Sequence, residues 1–326
     1  MLLVLIIPHE WGHMTVARWC GVKIKEFSVG MGPLIFKKMK DETQYSVRLL
    51  PLGGYCAMEG EEEAVDSPTS YSSKSYGQKV AILIAGVTMN IIIAVVAVTI
   101  AVCISGVVND SIGSVVEGSP AEAAGLMAGD TILEINGTET DTWEKVVDGI
   151  GSYKEGEPLV ITYERGGETG SVSVIPEYSE EAGTYLIGIS AGYTKDFLTC
   201  VRYGPAATWQ LAVAMLEGFR SLFTGGVQMN DVAGPVGLVK VVDSVADYGL
   251  SSYLMLLALV SLNLALFNIL PIPGLDGGKI FFIVLKIISG GRINDDMEYK
   301  ATIAGMVLLL TLFVLITMND IRNLFG

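Results

Sequence analysis

Histidine is nearly absent from this sequence. Its 326 residues hold two, His9 and His13, which excludes a metal centre built on three imidazoles. Cysteine is scarce as well. Cys20, Cys56, Cys103 and Cys200 include no C-x-x-C pair, so a metal site built on paired thiolates is excluded and the four read as ordinary buried or free thiols. Charged residues make up only 17% of the chain, and basic residues (21) are outnumbered by acidic ones (35), for a net charge of −14. That balance excludes a nucleic-acid partner, which calls for a basic face. Internal repeats and low-complexity tracts are lacking too.

Apolar residues, in contrast, make up 51% of the chain, and the mean hydropathy is +0.50. Three runs carry no charge at all: 80–108, 253–270 with its two asparagines, and 301–318. A bilayer core takes about 20 apolar residues in helix, so each run is long enough to span. Residues 1–22 form a weaker fourth span, interrupted by Glu10 and Arg18. This segment has no basic n-region and no small-residue cleavage site, so it does not read as a signal peptide. Lysines cluster after the first span (Lys23, Lys25, Lys37, Lys38, Lys40) and again after the third (Lys279, Lys286, with Arg292 and Lys300). Basic residues near span ends favour the cytoplasm. This places 23–78 and 271–300 inside, and the acidic region 109–249 and both termini outside.

Four regions follow. Residues 1–108 form an N-terminal membrane core. Within it, Phe27–Phe36 and Gln44–Leu50 have β composition with glycine and proline punctuation and predict a small membrane-associated hairpin or sheet. The acidic run from Glu59 to Asp66 reads as a solvated loop. Residues 109–178 read as an α/β module. Its signals are Ser119 as N-cap before Pro120, an Asn136-Gly137 turn, a helix in TWEKVVDGIGSY, and two alternating strands around Gly166-Gly167. Residues 179–249 read as an extracytoplasmic linker with an amphipathic helix over 205–223 and the loop NDVAGPVGLV. Residues 250–326 form a C-terminal membrane core.

The two histidines sit in PHEWGH, inside an apolar run. Positions i and i+4 of a helix lie about 40° apart, so His9 and His13 can hold one ion, while Glu10 lies about 100° from His9, beside that ion. This is the H-E-x-x-H zinc signature. Ionisable groups at membrane depth cost at least about 2–3 kcal/mol each, and three within five residues call for a task. A catalytic zinc wants three protein ligands, so the third must be a carboxylate or a thiolate. Asp276, in NILPIPGLDGGKI at the end of an apolar run, is the leading candidate. Broken backbone at membrane depth is tolerated where it lines a cavity.

HEWGH, FSVGMGP, PLGGY, GSPAEAAGL…GDTILEING, GPVG and N-x-x-P-x-P-x-L-D-G-G stand in one order along the chain. In this the sequence resembles the site-2 protease family of intramembrane zinc metalloproteases, in its PDZ-bearing RseP/RasP-type branch. The resemblance implies a polytopic α-helical membrane protein of about four transmembrane helices, with the small β element and one extracytoplasmic α/β PDZ-like domain, in the cell membrane and with its active site open to the cytoplasm. It assigns His9, His13 and Asp276 to Zn2+, Glu10 to catalysis, and Asn268 and Asn263 to oxyanion or substrate contact. It implies a single-span membrane substrate already cut outside, such as an anti-sigma factor or a remnant signal peptide, with the PDZ-like domain contacting the substrate ectodomain or C-terminus. The chain departs from the family in three places. Pro8 precedes His9 and would mark the start of the catalytic helix, AGVTMN lacks the usual proline, and one PDZ-like module is present where some relatives have two. A helical substrate hides its carbonyls and must unwind. Strand Tyr45, Val47 and Leu49 is expected to clamp it by edge pairing. The alternatives are an ion transporter, which calls for more intramembrane charges and inverted repeats, and an inactive PDZ-bearing scaffold, against which Glu10 speaks.

Overall fold

The computed structural model describes residues 1–61, 65–180, 182–223, 242, 244–245, 247–290 and 295–325. The loop NDVAGPVGLV and Glu62 and Glu63 of the acidic run lie outside these. The chain divides into two units, Met1–Ala101 with Gly204–Gly326, and Val102–Tyr203.

In the first unit, helix α1 (Leu2–Trp19) runs through Pro8 without a break, so Met1–Ile7 is not a separate turn. Proline removes one hydrogen bond, to the Val4 carbonyl, and the helix continues around that gap. Strands β1 (Ile24–Lys40) and β2 (Thr43–Met58) follow, joined at Asp41 and Glu42, both with positive φ, as a hairpin turn of the primed type needs. They are about twice as long as expected, and they fold back on themselves. Residues 34–40 pair antiparallel with 43–48, from Leu34↔Arg48 to Lys40↔Thr43. Residues 24–29 pair antiparallel with 54–58, from Ile24↔Met58 to Val29↔Gly54. Between them, Glu26↔Gln44 to Val29↔Val47 rise together in number, which is a parallel pairing. The four stretches thus lie in the order 54–58, 24–29, 43–48, 34–40.

One face of this sheet and the back of α1 share a core of Met14, Ala17, Ile24, Phe27, Cys56 and Met58 with Ile82 of the next helix. The hairpin end exposes Met31, Leu34, Ile35, Phe36 and Met39. Among the described residues, three helices are long and apolar enough to cross a membrane: within α2 (Tyr76–Ser105), α6 (Leu250–Ile269) and α8 (Asp295–Phe325). The apolar window of α8 is only 6% buried; an apolar surface left this bare fits lipid, not water. Between α6 and α8, α7 (Asp276–Ile288) has 13 residues, too few to span.

The second unit holds a sheet of order β10-β3-β4-β6-β7, with β5 on β4. Its strands are β3 (Val107–Val115), β4 (Thr131–Ile135), β5 (Thr138–Glu139), β6 (Leu159–Arg165), β7 (Glu168–Val174) and β10 (Ile189–Thr194), with β8 (Glu177–Ser179) and β9 (Thr184–Leu186) pairing apart. Ile112, Ile132, Val146, Leu159, Ile161 and Ile187 fill its core. Helix α3 (Pro120–Ala123) is capped by the Ser119 hydroxyl and α4 (Trp143–Gly151) by that of Thr142. Asn136-Gly137 and Gly166-Gly167 form the expected turns, all four residues at positive φ. The expected end at 178 is corrected. β10 pairs with β3, so residues assigned to the linker complete the sheet. The glycines of YLIGISAGYT had blurred the alternation. Likewise α5 (Phe197–Phe223) begins eight residues before Pro205, with Asp196 Oδ2 accepting from the Thr199 amide.

Candidate metal centre

His9 and His13 lie one turn apart on α1, both buried, at 9% and 5% exposure. Asp276 opens α7. Its arrival depends on the two glycines after it. A Cβ on Gly277 would fall 2.3 Å from the Leu270 carbonyl oxygen, and one on Gly278 2.2 Å from that of Ile272. Without side chains there, the first turn of α7 folds back onto the end of α6 and carries Asp276 to the histidines.

Asp276 Oδ2 is 3.3 Å from His9 Nε2 and 3.3 Å from His13 Nε2, and the two Nε2 atoms are 3.1 Å apart. A tetrahedral ion with bonds of about 2.0–2.1 Å sets its ligand atoms about 3.3 Å apart. The triangle therefore has the size that zinc requires. Asp276 Oδ2 is buried and takes no directed hydrogen bond. Such an orphan costs about 1–3 kcal/mol or more for a charged group, and a cation at the centre of the triangle removes that cost. The donor set of two imidazoles and one carboxylate suits zinc and leaves a fourth position open.

Glu10 stands beside the triangle and is not part of it. It lies against β2, where a Cβ on Gly54 would come 3.6 Å from Glu10 Cγ. Asn268 of α6 reaches the centre, its Nδ2 3.5 Å from His9 Nε2. Asn263 is exposed on α6 and is not brought in. Five residues turn a helix by about 140°, so it faces away from Asn268. Tyr45 and Val47 are not on a sheet edge, and the expected clamp is corrected here. Tyr45 pairs with both Phe27 and Lys38, and Val47 with both Val29 and Phe36, so no hydrogen-bonding side is left for a guest strand. The Tyr45 hydroxyl instead accepts from Arg18 Nη2 at 2.9 Å. Among the described residues, the stretch 54–58, beside Glu10, has a ladder partner on one side only.

Sequence reasoning missed several neighbours of the site. Lys279, one turn past Asp276, pairs with Glu61 at 2.7 Å and ties α7 to the segment after β2. Asn90 Nδ2 lies 3.3 Å from His9 Nδ1, and the Ile82 carbonyl lies 2.8 Å from His13 Nδ1. Asn90 left a signal, a carboxamide within an uncharged span. Ile82 left none, because its contribution is a backbone oxygen.

Residues 1–312 match peptidase family M50. A protein of Clostridium acetobutylicum assigned as a zinc metalloprotease is 35% identical over 98% of this chain and 94% of its own length. The regulator of sigma-W protease RasP of Bacillus subtilis is 28% identical over 98% of this chain and 96% of its own. The crystal structure of a PDZ domain from a Listeria monocytogenes SdrC-like protein covers 25% of this chain and 84% of that one, at 32% identity and a TM-score of 0.23, too low a score to establish a shared fold.

Proposed function

This chain belongs to peptidase family M50, the site-2 protease family, and from that premise we propose how its residues carry out intramembrane proteolysis and on what. The enzyme is a zinc metalloprotease. His9, His13 and Asp276 hold the ion, and the triangle of 3.1–3.3 Å edges is the observation that carries this reading. When bound there, zinc supplies Lewis acidity and brings water within reach of deprotonation at neutral pH. Glu10 takes the proton of the attacking water and returns it to the leaving amine. Asn268, already within 3.5 Å of a ligand atom, donates its amide hydrogen to the developing oxyanion.

The substrate is the transmembrane segment of a single-span protein, cut earlier on its outer side; anti-sigma factors and remnant signal peptides are the classes. Its unwound stretch adds as a strand to the free edge at 54–58, beside Glu10. Four helices span, α1 among them, and the lysine-rich flanks set the centre to open on the cytoplasmic side. The acidic second unit lies outside, where it acts as the PDZ-like filter of incoming ectodomains.

Cleavage of a model single-span substrate by purified protein in detergent, with zinc content measured in parallel, tests the reading. Glu10→Gln is expected to keep one zinc per chain and to lose activity about a thousandfold, the scale of a lost proton-transfer group. Full activity in that variant would refute the role of Glu10. No cleavage by the wild type would favour a scaffold.

A further inference from the structure

Helix α2 passes α1 in the opposite direction, and three of its residues at four-residue spacing meet the two imidazoles. The Ile82 carbonyl accepts from His13 Nδ1 at 2.8 Å. A Cβ on Gly86 would fall 2.3 Å from His13 Nε2 and 2.7 Å from His9 Cε1, so this position has room for hydrogen alone. Asn90, 1% exposed, sets its side-chain amide against His9 Nδ1 at 3.3 Å. Its own carbonyl is held from the other side by the Ser261 hydroxyl, which donates to it at 2.7 Å.

The bond to Ile82 determines the tautomer of His13. A carbonyl can only accept, so Nδ1 carries the proton and Nε2 keeps its lone pair for the ion. His9 faces the same demand, because its Nε2 forms the other corner of the triangle. With the amide nitrogen of Asn90 facing Nδ1, that demand fails. Nδ1 would have to accept, and the proton of the neutral ring would sit on Nε2, where the ion belongs. The same orientation leaves Asn90 Oδ1 buried with no partner. A half-turn of the amide about χ2 exchanges two groups of nearly equal size and removes both conflicts at once. Oδ1 then accepts from His9 Nδ1–H.

We infer that Asn90, with Oδ1 turned toward His9, is a positioning residue that fixes His9 in its metal-binding tautomer, as the Ile82 carbonyl does for His13. Both halves of the outer support of the centre then come from α2. This inference rests on the zinc reading above.

The test is the zinc affinity of the full-length protein in detergent, by competition with a chromophoric chelator. Outer partners of metal-bound histidines contribute roughly ten- to a hundredfold in affinity. Asn90→Leu, which keeps the bulk and removes the acceptor, is expected to lose that much. Asn90→Asp, whose carboxylate only accepts, is expected to bind zinc at least as tightly as wild type. A role in packing alone predicts the reverse order, because a buried charge is then harmful and leucine is not. Wild-type affinity in Asn90→Leu, or a tenfold loss in Asn90→Asp, overturns the inference. If Asn90→Leu does not fold, the aspartate variant still decides. A wild-type protein that binds no zinc sinks the metal reading itself, and this inference with it.

Discussion

Asp130 shows how a single carboxylate can set a pH limit on the second unit. It is 1% exposed and takes two hydrogen bonds of 2.6 Å from Arg165 and one from the Met127 amide. The Arg165 bonds are the main reason its carboxyl sits below the ordinary aspartate value. A depressed folded value means that its contribution is complete above the unfolded value of about 3.9 and disappears as pH falls through the folded one. Arg165 is partly exposed, so the pair is worth about 1–2 kcal/mol. Asp130→Asn is expected to weaken the second unit by that amount at pH 7, yet to lose less than wild type between pH 4 and pH 2. Urea unfolding followed by Trp143 emission, with Trp11, Trp19 and Trp209 replaced by phenylalanine, checks this. Equal acid sensitivity in both proteins would count against it. At this scale the proposed zinc ligands were open to reading from the sequence for a physical reason. Imidazoles and carboxylates are costly in an apolar run, so each one present stands out. Asn90 stood out less, because a carboxamide in a span is routinely satisfied by a neighbouring helix. Asn263 carried the same weak signal and turned out to face away from the centre.

Among the elements, β1 and β2 depart most from what the sequence suggested. Alternation and glycine punctuation located the hairpin, but they carry no information on which strands become neighbours once each folds back. That depends on the bends near Gly30 and Gly53, both at positive φ, and on the burial of Phe27, Cys56 and Met58 against α1. The consequence is functional. The stretch with Tyr45 and Val47 is flanked on both sides, and of the two outer stretches, 34–40 and 54–58, it is 54–58 that lies beside Glu10. A photo-crosslinking residue at Ala57 is therefore expected to capture a model substrate in the Glu10→Gln background, and the same residue at Val47 is not. Capture at Val47 with none at Ala57 would return the clamp to the interior stretch. The break between α6 and α7 was legible for the opposite reason. LPIPGLDGG can neither continue a helix nor pair as a strand, and its two glycines leave the backbone space to double back.

Across the whole chain, the candidate zinc ligands come from residues near the start and from Asp276, and all belong to one unit. The second unit is inserted between Ala101 and Gly204. The two ends of that insertion meet within the first unit, since a Cβ on Gly204 would fall 2.0 Å from Thr99 Oγ1. A short glycine-serine linker can thus replace Val102–Tyr203 without stretching the chain. The excised protein is expected to bind zinc with wild-type affinity, because no ligand and no proposed partner of a ligand lies in the removed segment. If the acidic unit acts as a filter on ectodomains, the excised enzyme also cleaves substrates that keep a folded outer domain, which the intact enzyme rejects. Zinc titration and a cleavage assay on trimmed and untrimmed forms of one substrate separate the two claims. Loss of zinc would mean that the membrane core needs the inserted unit to hold its shape. Retained zinc with unchanged rejection of untrimmed substrate would assign the selectivity to the membrane core itself.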